Sequence, residues 1–174
     1  MSQTAFDWLR RPGLAGGIDK TGERAEELLG LGFGSVEFGS VTCCPIVGSN
    51  PGLASLIHQI ATVAPTKRAK TAIGIGLGLP PDLPPEALAD EWLQGIRQLS
   101  ELPPVVDYLS LNLSAAASRR FVGEDLRLVL LDALEKMAHF RSGIGAAELP
   151  LLAVKLPLEA AVGLLPAMLQ SGVG

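Results

Sequence analysis

Five short apolar runs in this sequence each hand over to groups that could do chemistry. GLAGGID (13–19) leads to Asp19 and Lys20, GSVEFGSVT (34–42) carries Ser40 and Thr42, and TAIGIGLG (71–78) carries Gly74. VVDYLSLNLS (105–114) delivers Asn112 and Ser114, and LPLLAVKL (149–156) delivers Lys155. The lysines offer fixed positive charge to an anionic ligand, and the asparagine and serines offer hydrogen bonds. What the set lacks is a proton acceptor. Ser114 is followed by Ala115, Ala116 and Ala117, and alanine has no group that can act as a general base. Because strand neighbours point to opposite faces, Ser114 or Ser118 would replace such a base only after a backbone shift.

Plainer readings stand beside these. Lys20 and Lys155 read equally as strand-end charges, solvated or paired with a neighbour such as Asp19. Asn112 and Ser114 read as turn or capping groups. His58 and His139 fall in helical segments away from the strand ends, which suits surface or packing roles, and Trp92 and Phe140 suit helix-face packing. The adjacent Cys43 and Cys44 are too few and too close for a disulfide framework or a metal ligand set, so they read as free thiols in a reducing compartment.

The elements that must position these groups follow from periodicity. GERAEELLGLG (22–32) places Ala25, Leu28, Leu29 and Leu31 at near-helical spacing and stops at Gly30 and Gly32, a capping signal. NPGLASLIHQIATVAP (50–65) gathers Leu53, Leu56, Ile57 and Ile60 on one side, and PPEALADEWLQGIRQLSEL (84–102) carries the stripe Leu88, Trp92, Leu93, Ile96 and Leu99 behind a proline start. Helices are also predicted over 123–140 and over 157–174, the latter kinked at Pro166 and ended by Gly172 to Gly174. Strand and helix thus alternate five times, the pattern of parallel β/α construction with right-handed crossovers. An open doubly wound sheet and a segment of a (β/α)8 barrel both fit, and in either one chemistry gathers where strands end at their carboxyl side. Neither G-x-G-x-x-G opening a helix nor G-x-x-x-x-G-K-[ST] occurs.

Composition narrows the function classes. The 174 residues, 48% hydrophobic with a net charge of −4, suit one domain with scattered rather than striped basic residues, which argues against nucleic acid as a partner. Mean hydropathy is +0.34, but Lys155, Pro157, Glu159 and Pro166 interrupt the most apolar region, so no membrane span is expected. The N-terminal MSQTAFDWLRRPG has no apolar signal-peptide core. A cytoplasmic protein is the expectation. Its apolar surplus would be buried under a covered sheet or in a subunit interface.

Taken in order, GLAGGIDKTGE and LLGLGFGSVEFGSVTCCP resemble the opening of the dihydroorotate dehydrogenases, most closely the membrane-associated class. The pattern there runs G-L-A-A-G-x-D-K-x-G, then G-F-G-x-x-E-x-G-T-V-T-x-x-P. The resemblance is specific over 13–45, moderate over 105–114 and 149–156, and poor between 52 and 70 and after 114. It implies an α/β fold, a (β/α)8 barrel of which about five β/α units are present, and an FMN-dependent oxidation of dihydroorotate to orotate in pyrimidine biosynthesis. Ala15, Gly16 and Gly17 fall where the family lays its flavin over small residues. Lys20 falls near flavin and substrate carboxylate, Ser40 replaces a flavin-touching threonine, Asn112 reaches flavin and substrate, and Lys155 lies beside the flavin's pyrimidine edge.

The departures from the pattern are equally specific. The family loop N-x-S-S-P-N-T becomes NLSAAAS, so Ala115 stands at the base position and Ala117 at a substrate asparagine. LIHQIATVAPTKRAK has no counterpart of the substrate segment N-R-M-G-F-N-N, and Gly74 stands where a flavin-contacting asparagine is usual. The sequence reaches SGVG near where a sixth strand would begin, so the family's Gly-rich phosphate turns and its N-terminal helical extension are not seen in it. The expectations are a single incomplete-barrel domain over 1–174 that does not oxidise dihydroorotate, holds FMN weakly or not at all, and acts as a binding or structural subunit. A homo-oligomer, or a second chain that completes the barrel, would accompany it. The alternative is an FMN-dependent oxidoreductase acting on dihydroorotate or a related substrate.

Overall fold

A computed structural model describes residues 10–68, 70–144 and 149–170. The expected helix end at Gly172 to Gly174 and most of the N-terminal segment lie outside the described residues. Five strands, β1 (Gly13–Leu14), β2 (Ser35–Val41), β3 (Ala72–Leu77), β4 (Tyr108–Asn112) and β5 (Leu151–Lys155), alternate with five helices. These are α1 (Ala25–Gly30), α2 (Leu53–Ala61), α3 (Leu88–Glu101), α4 (Arg127–Ile144) and α5 (Leu158–Gln170). All the strands are parallel and the sheet order is β1-β2-β3-β4-β5. A doubly wound sheet reverses its strand order partway, whereas this one never does. Sequential order with right-handed crossovers keeps every helix on one face, the topology of a (β/α)8 barrel.

Alternation along the strands separates two faces. Val36 and Phe38, Ile73, Ile75 and Leu77, and Leu109 and Leu111 point to the helices and are buried. They meet Leu53, Leu56, Ile57 and Ile60 of α2 and Leu88, Trp92 and Ile96 of α3 in one core. Gly95 lets α3 settle onto the sheet, because a Cβ there would come within 2.7 Å of Leu77. The opposite, inner face repeats Ser35 and Glu37, then Gly74 and Gly76, then Tyr108, Ser110 and Asn112, then Ala153 and Lys155, matched across the ladders. That face is polar or small almost throughout.

The structure adds detail to the periodicity reading at four points. The first strand keeps only two ladder residues, because Gly17 turns the chain at φ 101°. Residues 15–19 then cross the end of β2, with Gly17 N–H donating to Gly39 O (2.6 Å) and Gly39 N–H to Asp19 O (2.9 Å). Leu31 is exposed although Leu28 and Leu29 are buried, because α1 ends at Gly30 and Leu31 is its C-cap, beyond the last helical turn. A 3-10 turn at Pro85–Ala87 delays α3 to Leu88. The last helix continues through Pro166 to Gln170. Among the described residues no helix is long and apolar enough to cross a membrane.

Candidate site at the strand ends

The inner face is held together by contacts that step over whole strands. Neighbouring parallel strands lie about 4.8 Å apart, so side chains two or three strands apart meet only where the sheet curls and the intervening residues are small. Glycines on β3 supply the gaps. A Cβ at Gly74 would fall 2.0 Å from Tyr108 Cζ, so the Tyr108 ring of β4 lies over Gly74 and its phenol hydrogen-bonds Ser35 of β2. Burial pushes the phenol above its ordinary pKa; the Ser35 bond opposes this, and the charges of Glu37 and Asp107 add to it.

Nearer the rim, Asn112 of β4 donates from Nδ2 to Ser40 Oγ of β2 at 2.5 Å. Gly76 and Gly78 leave the passage open: a Cβ at Gly76 would sit 3.2 Å from Ser40 Oγ, and one at Gly78 3.3 Å from Ser40 Cβ. Asn112 Oδ1 accepts from Ser114 N–H (3.1 Å) and from Ser114 Oγ (2.7 Å). Thus Asn112 and Ser114 do form the turn suggested by the plainer reading, and Ser40 is tied to it. The third contact is wider still: Lys155 Nζ of β5 lies 3.4 Å from Glu37 Oε1 of β2. The lysine is therefore paired, but with a carboxylate on the inner face and not with Asp19.

Asp19 is committed elsewhere. Its carboxylate accepts N–H bonds from Thr21 (3.0 Å), Gly22 (2.8 Å) and Arg24 (3.0 Å), fixing the turn before α1. Lys20 is exposed, and among the described residues its side chain has no hydrogen bond or ion pair. Ala15 is exposed, and the Cβ direction of Gly17 meets nothing within 4 Å. Gly16 differs from both, since a Cβ there would lie 2.5 Å from Glu37 Oε1.

The sequence candidates therefore separate into an Asn112–Ser40–Ser114 group, a Gly16–Glu37–Lys155 group and an open lip at Ala15, Gly17 and Lys20. Gly74 lies beneath Tyr108, not on the rim. Thr42 is used by the loop after β2, its Oγ1 donating to Cys44 O at 2.5 Å. Glu37 and Tyr108 were not picked out by sequence reasoning, although Glu37 falls on the glutamate of the pattern G-F-G-x-x-E-x-G. The available signal was a carboxylate two residues from Ser35 on the face opposite Val36 and Phe38.

The exit of β4 carries no acid or base. Ala115 to Ala117 follow the Asn112 turn, and Ser118 is completely buried, its Oγ without a hydrogen-bond partner among the described residues. Cys43 is buried and donates to Glu91 O (3.1 Å), Cys44 is exposed, and both are free. Burial, followed by the nearby Glu91, pushes the Cys43 thiol well above its ordinary pKa, which makes it a poor nucleophile. Among the described residues no cluster of His, Cys, Asp and Glu could hold a metal. A groove of about 490 Å³ between α3 and α4, lined by Leu93, Asp132, Glu135, Lys136, His139 and Phe140, opens among the helices and not on the strand-end rim.

Small residues at the lip, open space over Gly17 and a half-exposed cation at Lys155 suit the flat ring of FMN. No family model matches the chain. It is 33% identical over 121 residues to a dihydroorotate dehydrogenase (quinone) from Stenotrophomonas maltophilia (strain R551-3), covering 59% of this chain and 34% of that protein. With the enzyme of the same name from Alkalilimnicola ehrlichii it shares 28% identity over 153 residues, covering 74% of this chain and 42% of the relative. The chain thus spans well under half the length of these curated relatives. Among solved structures, dihydroorotate dehydrogenase from Eimeria tenella in complex with ferulenol matches with a TM-score of 0.63 and 20% identity, over 94% of this chain and 54% of that one. This last likeness is one of fold.

Proposed function

The chain is a dihydroorotate-dehydrogenase-like member of that family, and from this premise we propose that it is a binding or structural chain that does not oxidise dihydroorotate. The observation that carries the proposal is the β4 exit. Ala115 and Ala117 offer no proton acceptor, and the adjoining Ser114 hydroxyl donates its hydrogen bond to the neutral Asn112 amide oxygen at 2.7 Å. A neutral amide cannot take that proton to make an alkoxide, so the hydroxyl has no base behind it.

FMN is the cofactor this reading admits. Ala15, Gly16 and Gly17 would lie under its ring, with Lys20, Ser40, Asn112 and Lys155 around the edge. Bound FMN would supply two-electron acceptor chemistry. The residues themselves contribute a flat floor, hydrogen bonds, a cation at Lys155 compensated by Glu37 and an exposed cation at Lys20. The test is orotate formation from dihydroorotate with saturating FMN and an artificial electron acceptor. We expect none above the protein-free background, and a signal proportional to protein would refute the reading. The second reading, an active FMN-dependent oxidoreductase, is favoured by the exposure of Lys155 at the rim and would be established by that signal.

Self-association, or docking to a chain that extends the barrel, belongs to the same proposal. Leu158, Val162, Leu165 and Leu169 are exposed along α5. Their 4-3-4 spacing makes an apolar seam suited to a partner surface. Light scattering at micromolar concentration should give a mass above that of one chain, and a monomeric mass would count against association.

A further inference from the structure

Helical periodicity divides α5 into three flanks. Leu164 and Met168 are buried in the core. Glu159 pairs with Arg119 at 3.2 Å, and Gly163 O accepts from Arg127 at 2.9 Å, so a second flank is clamped to the chain around the start of α4. The remaining flank carries Leu158, Val162, Leu165 and Leu169, exposed by 83%, 80%, 48% and 65%. Glu159 is the only charged residue of the helix, so nothing on this flank recommends a charged partner. Among the described residues the other large exposed apolar side chains, Ile18, Leu31, Val47 and Leu128, lie on separate segments. The α5 stripe is the one linear group.

We propose that the α5 stripe is the docking surface for α5 of a second copy of this chain, packed antiparallel across a two-fold axis. A 4-3-4 spacing reads the same in both directions. Laid antiparallel, it sets Val162 against the partner's Leu165 and Leu158 against the partner's Leu169, and the symmetry repeats each contact. The second copy therefore needs no surface beyond the one this chain already carries. At the exposures above, the stripe offers roughly 500 Å² per copy, so the pair buries about 1,000 Å², where specific interfaces begin. An area at that threshold makes a weak, reversible dimer and not a permanent one. This inference rests on the self-association reading above and adds which face associates and in what sense.

Sedimentation equilibrium of the full chain tests it in two stages. The wild-type chain should dimerise reversibly in the micromolar range. Val162→Lys and Leu165→Glu should each weaken the dimer roughly tenfold or more, as loss of a central apolar contact does. An equimolar mixture of the two variants should then recover association, because the antiparallel register sets the new ammonium of one chain against the new carboxylate of the other. Leu128→Glu, at an exposed apolar residue off the stripe, should leave the dimer unchanged, with circular dichroism confirming the fold of each sample. Should Leu165→Glu not fold, Leu165→Gln reads the same loss without a charge. A wild-type chain monomeric at about 100 μM overturns both this proposal and the self-association reading, and leaves the flank to a chain that extends the barrel. A dimer indifferent to both α5 substitutions, or weakened equally by Leu128→Glu, keeps self-association and removes the α5 stripe from it. Variants that dissociate but do not recover on mixing overturn the antiparallel pairing.

Discussion

The two faces of the sheet are built by opposite rules. On the outer face the residues are large, each is buried by helices, and their arrangement follows from size and alternation. On the inner face the decisive residues are the ones with no side chain, because Gly16, Gly74, Gly76 and Gly78 leave the paths along which Glu37, Tyr108 and Asn112 reach partners on other strands. Volume stabilises one face, and permitted reach organises the other. The lesson is that a strand such as AIGIGL can be a core strand on one side and a set of windows on the other.

Truncation and insertion should separate these rules most sharply. Phe38→Ala removes a fully buried ring from the outer face and should cost about 3–5 kcal/mol in chemical denaturation, with ligand binding at the rim retained wherever the variant is folded. Gly74→Ala adds a single methyl on the inner face, yet it must displace the Tyr108 ring from 2.0 Å. We expect a loss of about 1–3 kcal/mol, and Tyr108→Ala in the same background should recover part of it. A Gly74→Ala chain as stable as the wild type would contradict the stacked-ring arrangement.

That contrast also marks what was legible in the amino-acid order. The outer face was readable because its information is local: the 3.6-residue stripes of α2 and α3 and the alternation of Val36 with Phe38 name their own core. The rim was readable residue by residue, since strand ends deliver Ser40, Asn112 and Lys155 whatever their partners. Their partners were not. The Glu37–Lys155 contact joins positions separated by 118 in the chain and depends on sheet curvature, which no single strand encodes. The lip was misread as strand because GLAGGID alternates acceptably until Gly17, where a positive φ ends it.

The Asn112 bridge is a smaller perturbation of the inner face. Asn112→Ala leaves Ser40 and Ser114 without their shared partner and should cost about 1 kcal/mol, less than either change above. Asn112→Asp would test the direction of the bonds. The carboxylate keeps the acceptor for Ser114 but has no N–H for Ser40, so Ser40 would have to donate instead. Stability equal to that of the wild type would show that the Ser40 hydroxyl turns freely between the two roles.

The gentlest probe of the comparison is alkaline pH, since each face holds one group whose charged form is disfavoured by burial. Cys43 packs beneath α3, with an ordinary thiol value of 9.0, and Tyr108 crosses the inner face, with an ordinary phenol value of 10.0. Both are raised in the folded chain, so the folded state holds protons that the unfolded state releases. The resulting stability is fully present below the ordinary values and declines as pH climbs from them toward the raised folded ones. The Cys43 loss therefore begins first and the Tyr108 loss follows about one unit later. Cys43→Ala should remove the earlier part of the decline and Tyr108→Phe the later part, as read from denaturation midpoints between pH 8 and pH 11. A Tyr108→Phe chain with the wild-type alkaline profile would mean that the phenol reaches water in the folded protein, and the window over Gly74 would then be open rather than filled.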